Sequence, residues 1–164
     1  MTISVLLVDD DIAVKSSTEE FLALSGYNVT SASNAEEALD LLDTLTPDIV
    51  ITDIMMQEMD GLELTEHIKK NYGAAVIVMT GYSADYSYEE AVNAGASDFI
   101  FKPFRFEELD LRINIGISVV GVMDDGVLQP NPVPDYRFNA GDLIAVMGNA
   151  QQLAEFQTLI SPSQ

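Results

Sequence analysis

The chain has 164 residues, of which 48% are hydrophobic and 21% charged. That is enough apolar material for one domain or one and a half, and too much for a disordered or fibrous chain. Twenty-seven acidic residues against seven basic ones leave a net charge of −20, which argues against nucleic acid and anionic membrane surfaces as partners, because phosphate contacts need clustered Lys and Arg. With no Cys and a single His, His67, disulfides, thiolate metal sites and Cys nucleophiles are excluded, and a zinc enzyme or a His-based triad nearly so. The apolar runs are too short for a membrane-spanning helix. The first eleven residues lack a basic n-region and a cleavage site, so no signal peptide is expected and a cytoplasmic location is.

Residues 3–8 are a nearly continuous apolar run, the pattern of a strand buried on both faces. Residues 12–24 predict a helix with Ile12, Phe21, Leu22 and Leu24 among its apolar positions, Asp11 as its cap and Gly26 as its stop. Residues 27–32 are the next strand. Asn34 then caps a helix with Glu37 at capping-box spacing; its apolar residues run from Ala35 to Leu45, and Pro47 follows its end. Residues 48–53 are a third buried strand, Asp60-Gly61 a turn, 62–70 a helix and 75–80 a fourth strand. A helix over 84–94 stops at Gly95, and residues 98–101 are a short fifth strand leading into Lys102-Pro103. Strands separated by helices require parallel pairing through crossovers. The expected fold is an open, doubly wound α/β sheet in the order 2-1-3-4-5, with its ligand site at the carboxyl ends of the strands.

Beyond residue 106 the rhythm changes. Residues 106–115 predict a helix, 117–123 a β-branched strand, 124–126 a turn and 127–128 a short strand. Pro130, Pro132 and Pro134 share one loop. Residues 140–142 are a turn, 143–147 a strand, Gly148-Asn149 a helix start and 150–160 a final helix. The chain is therefore expected to divide into a first domain, 1–106, and a small β-rich α+β module, 107–164, sharing the helix near 106–115.

Asp9 and Asp10 end the first strand and Asp53 ends the third, and in this sheet those strands are neighbours. Three carboxylates converging on one edge repel unless a cation sits among them. Oxygen ligation favours a hard ion, and Mg2+ shared with a phosphoryl oxygen fits best. Thr80 and Lys102, at the ends of strands four and five, add a hydroxyl and an ammonium. Together these groups suit a carboxylate that attacks a phosphoryl group. Some of the acids and aromatics read more plainly. Asp11 is a helix cap, His67 is a solvated face residue, and Tyr82, Tyr86 and Tyr88 are a candidate partner face.

Val8-Asp9-Asp10, the run 47–56, Met59-Asp60-Gly61, Val78-Met79-Thr80-Gly81 and Phe101-Lys102-Pro103-Phe104 together resemble a response-regulator receiver domain over residues 1–106. The resemblance implies that Asp53 is the phosphoacceptor. It implies that Asp9, Asp10, Asp53 and the backbone carbonyl of Met55 hold Mg2+, that Thr80 and Phe99 occupy switch positions, and that Lys102 pairs with the acyl phosphate. Gln57 departs from the family, which usually has Pro four residues after the acceptor. Proline restricts φ, so the geometry of this loop is the feature that the departure touches.

The runs 112–122, 130–132 and 138–148, with Gln152-Leu153, resemble the C-terminal module of potassium-conductance regulators, the TrkA-C type. The family's usual first strand is absent here. That resemblance implies a homodimerising unit that in some members binds a small ligand. Residues 1–106 carry a net −14 and residues 107–164 a net −6, without a basic recognition helix in either. The expected protein is a two-component response regulator. A partner histidine kinase phosphorylates Asp53, and the module at 107–164 responds. Catalysis is confined to self-phosphorylation and self-dephosphorylation. Two other readings stay open: a ligand-sensing regulatory subunit of a potassium transporter, and a phosphohydrolase with an Asp nucleophile. The second would need a further acid two residues after Asp53, where Met55 stands.

Overall fold

The structure is a computed structural model that describes residues 2–81, 88–115, 118–124, 127–130, 143–147 and 150–160. It divides into two compact units, Met1–Lys102 and Pro103–Gln164.

The first unit is built from β1 (Ser4–Val8), α1 (Ile12–Leu24), β2 (Asn28–Ala32), α2 (Ala35–Leu42), β3 (Ile49–Asp53), α3 (Gly61–Asn71), β4 (Ala75–Gly81), α4 (Tyr88–Asn93) and β5 (Asp98–Lys102). Its five strands form one parallel sheet in the order β2-β1-β3-β4-β5, the flavodoxin-like arrangement. The central strands are buried on both faces, which is why they read as continuous apolar runs. Leu6, Leu7, Val8, Val50, Ile51, Val76, Val78 and Met79 are essentially inaccessible. Leu22, Ala38, Leu64, Ile68 and Ala91 supply buried positions from the helices. Each fully buried Leu or Ile contributes about 1.5–3 kcal/mol over leaving it in water.

Side-chain caps start the helices. The Asp11 carboxylate accepts the amides of Ala13 and Val14, holding its own pKa below the usual range. Gly26 follows α1 with φ 92°, a conformation that favours glycine. Asn34 accepts the Glu37 amide, but the Glu37 carboxylate reaches the amide of Ser33, one residue before the expected partner. The reciprocal capping box forms instead at Asp60 and Glu63. The expected turn at Asp60-Gly61 is therefore the cap and first residue of α3. Helix α2 is shorter than its apolar pattern suggests. It ends at Leu42, and Leu45 lies beyond it, 38% exposed. The residue before Pro47 disfavours helical backbone, and the Thr44 hydroxyl donates to the Leu41 carbonyl.

The second unit contains α5 (Phe106–Ile115), β6 (Ser118–Asp124), β7 (Val127–Pro130), β8 (Leu143–Met147) and α6 (Ala150–Ile160). Its strands form an antiparallel sheet in the order β7-β6-β8, with an irregularity between Val119 and Gly121. Strand β7 runs two residues past the expected 127–128 and closes on Pro130. It is an edge strand, where a missing N–H is tolerated. Phe156 of α6 is buried against Leu111 and Val146. Helix residues 84–87, Pro132, Pro134, the turn at 140–142, Gly148-Asn149, Tyr82 and Tyr86 lie outside the described residues. No helix among the described residues is long and apolar enough to cross a membrane.

Candidate functional site

The sheet register assembles the site. Val8 pairs with Thr52, so Asp9, just past β1, stands beside Asp53, the last residue of β3. One carboxylate oxygen each from Asp9, Asp10 and Asp53 lies within 4.8 Å of the others. Asp9 and Asp53 are buried, whereas Asp10 is exposed. Lys102, the last residue of β5, reaches across β4 into this cluster. Its Nζ lies 2.7 Å from Asp9 Oδ2 and 2.9 Å from Asp53 Oδ2. Asp9 Oδ1 also accepts the Asp11 amide at 2.9 Å.

The electrostatics follow from burial and pairing. Burial pushes the Asp53 carboxyl above its usual pKa, and the Asp9 charge adds to this. The hydrogen bond and charge of Lys102 and the Met55 amide pull the other way without reversing it. Burial alone would lower the Lys102 pKa, but its hydrogen bonds to Asp9 and Asp53 hold the ammonium above the usual lysine value. One ammonium among three carboxylates leaves an excess of negative charge. This all-oxygen donor set, with two of its three acids buried, fits a small hard divalent cation.

Thr80 is fully buried near the end of β4, one residue before Gly81, which pairs with Lys102. Its hydroxyl donates to the Gly81 carbonyl at 3.4 Å. Phe99 is 7% exposed and belongs to the hydrophobic core, three residues before Lys102 on β5. Its ring meets Phe101 edge-on at 4.7 Å. The structure thus brings Asp9, Asp10, Asp53 and Lys102 together, sets Thr80 at the same edge, and keeps Phe99 in the core. Met55 follows β3 with its side chain 56% exposed and its amide donating to the Asp53 carboxylate. Gln57 is exposed in this loop, and the next residue, Glu58, adopts φ 67°. His67 is exposed on α3.

Gly61, expected in a turn, opens α3 instead. A Cβ there would lie 2.0 Å from the Asp53 carbonyl oxygen and 2.9 Å from Ile54 Cα, and the Gly61 amide donates to the Ile54 carbonyl at 2.9 Å. The first residue of α3 therefore rests on the backbone that carries the Asp53 carboxylate. A signal for this was present. Glycine is a poor choice inside a helix start that Asp60 and Glu63 already cap, so its presence points to a close approach. A buried carboxylate next to a fixed ammonium and a hard-cation donor set can accept a phosphoryl group and neutralise its oxygens.

The family model described as "Response regulator receiver domain" matches residues 5–114. The response regulator MprA of Mycolicibacterium vanbaalenii is 37% identical over 114 residues, 69% of this chain and 49% of that protein. A cyclic di-GMP phosphodiesterase of Thermotoga maritima is 39% identical over 111 residues, 67% of this chain and 30% of that protein. The chain thus spans half or less of these curated relatives. A CheY-like receiver domain protein from Methanospirillum hungatei superimposes with a TM-score of 0.64 at 33% identity, covering 69% of this chain and 91% of that one. Residues from 115 onward lie beyond the span of the family model.

Proposed function

Since the chain belongs to the response regulator receiver family across residues 5–114, we propose that it is the phosphorylation switch of a two-component system, with Asp53 as phosphoacceptor. The observation that carries this reading is the Lys102 ammonium, held 2.9 Å from the Asp53 carboxylate and 2.7 Å from that of Asp9. An Asp53 oxygen forms the bond to phosphorus as the bond to the donor's histidine nitrogen breaks, and the imidazole leaves with the electron pair. Lys102 offsets the charge that gathers on the phosphoryl oxygens. The Met55 amide and the backbone contact with Gly61 hold the attacking carboxylate in place. Asp9, Asp10, Asp53 and the Met55 carbonyl are the groups that would hold Mg2+, which when bound screens the phosphoryl charge. In this reading Thr80 shifts inward to hydrogen-bond a phosphoryl oxygen, and Phe99 is the buried aromatic whose repacking follows. No turnover beyond the phosphoryl cycle of Asp53 is part of this reading.

In the same reading the chain consists of a receiver, 1–106, and a TrkA-C-like output module, 107–164, sharing the helix near 106–115. The antiparallel sheet β7-β6-β8 with α6 supports a distinct module. Its output is a change in homodimerisation, with a histidine kinase as donor and a cytoplasmic setting. A small ligand or a transporter partner would engage the same module.

The test uses the whole chain with Mg2+ and a small phosphodonor such as phosphoramidate, followed by intact mass. One phosphoryl unit is expected on the parent chain and none on Asp53→Asn. Labelling of the variant at another residue would end the assignment. Light scattering with Mg2+ and beryllium fluoride checks the output: a change in mass supports the dimerisation role, and an unchanged mass argues against it.

A further inference from the structure

A groove of about 500 Å³ lies between α2 and the β3–α3 loop. Leu39 and Met59 line it, with part of each side chain packed on the hydrophobic core. Glu36, Asp40, Glu58 and Glu63, all exposed, line it as well, and no Lys, Arg or His does. Among the described residues the only group of three acids close enough to share a cation is Asp9, Asp10 and Asp53. The groove's carboxylates are spread around an apolar strip and do not converge on a point. Such a surface complements one kind of occupant: an amphipathic segment with an apolar anchor flanked by positive side chains. This chain supplies no such segment beyond residue 106, where Arg112 and Arg137 are the only cations.

We propose that this groove docks a basic amphipathic helix of a partner protein, its apolar side chain over Leu39 and Met59 and its Lys or Arg side chains against Glu36, Asp40 and Glu58. The proposal does not depend on Asp53 being the phosphoacceptor. It gives Glu58 a consequence, however. Glu58 belongs to the loop whose Met55 amide donates to Asp53, so an occupant of the groove bears on the backbone next to that carboxylate.

The experiment titrates the full 15N-labelled chain with a synthetic amphipathic helix of Leu and Lys, and in parallel with its Leu and Glu counterpart. The basic peptide is expected to shift the amides of residues 34–40 and 57–63, and the acidic one to shift none. Reversing Glu36→Lys and Asp40→Lys together is expected to weaken binding about tenfold. The control pair Glu20→Lys and Glu66→Lys, which changes net charge equally on other exposed positions, is expected to leave affinity near that of the parent. Equal losses in both pairs, shifts spread over the whole acidic surface, or no binding would overturn the proposal. So would self-association at rising protein concentration that moves the same amides together with those of Lys69 and Lys70, since the occupant would then be a second copy.

Discussion

Burial and Lys102 act on the Asp53 carboxyl in opposite directions. Burial is the main force raising its pKa, and Lys102 is the main force opposing that rise. Lys102→Met is therefore expected to move the Asp53 carboxyl midpoint further up, read by carboxyl-carbon NMR titration without divalent cation; an unchanged midpoint would mean that the pair is not coupled. The sign for stability follows. A carboxyl with a raised folded-state pKa opposes folding as pH climbs from the unfolded-state value through the raised one, so Asp53→Asn is expected to melt higher than the parent at neutral pH. That advantage should fade as pH falls and the parent's carboxyl takes up its proton. Gly61 makes a different kind of demand. A Cβ at this position would lie 2.0 Å from the Asp53 carbonyl oxygen, so Gly61→Ala must push α3 away from β3. A loss of about 1–3 kcal/mol is expected from overpacking, measured by urea unfolding, together with slower labelling of Asp53.

At the level of elements, the parts that position the site are those with the firmest local anchors. Asp60 and Glu63 fix the start of α3, and Asp60→Ala is expected to cost about 1 kcal/mol in equilibrium unfolding. Behind this cap, Leu64 and Ile68 are fully buried in the core, and Ile68→Ala is expected to cost about 2–5 kcal/mol. The opposite end of the sheet has its own tie. The Asp48 carboxylate accepts the Ser4 amide at 2.8 Å and the Ser4 hydroxyl at 2.7 Å, joining the starts of β1 and β3. These bonds hold the Asp48 pKa below the usual range. Their contribution is present at neutral pH and lost as pH falls through that lowered value. Asp48→Asn should therefore cost stability at neutral pH, flatten the decline on the acid side, and differ little from the parent in strong acid.

For the whole molecule, a net charge of −20 on 164 residues makes self-repulsion a general burden on folding. Added NaCl is expected to raise the melting temperature gradually, by screening. Mg2+ is expected to raise it more at lower concentration, through Asp9, Asp10 and Asp53. At roughly a hundred times its Kd the linked stabilisation is about 3 kcal/mol. Removing the ion with EDTA should reverse the shift, and Asp10→Asn should shrink it. A response to Mg2+ no larger than to NaCl at equal ionic strength would show that the cluster does not select a divalent ion.

The order of elements in the first unit, its parallel sheet and the acids at its strand ends are written in local pattern. Apolar runs such as 48–53 and 75–80 fit central parallel strands, and the alternation with helices calls for crossovers between them, while the order β2-β1-β3-β4-β5 is one of the arrangements that alternation allows. The meeting of Asp9, Asp10, Asp53 and Lys102 follows from that topology, because each sits at a strand's carboxyl end. The early end of α2 depended on Thr44 and Pro47, and Leu45 misled because an apolar side chain continues a helical pattern whether or not the backbone does. The close packing of Gly61 on Asp53, the burial of Phe99 among core side chains and the acid-bordered groove beside Met59 are relations across distant stretches of chain. They arise from side-chain volumes and backbone approach in three dimensions, which periodicity along the chain does not encode.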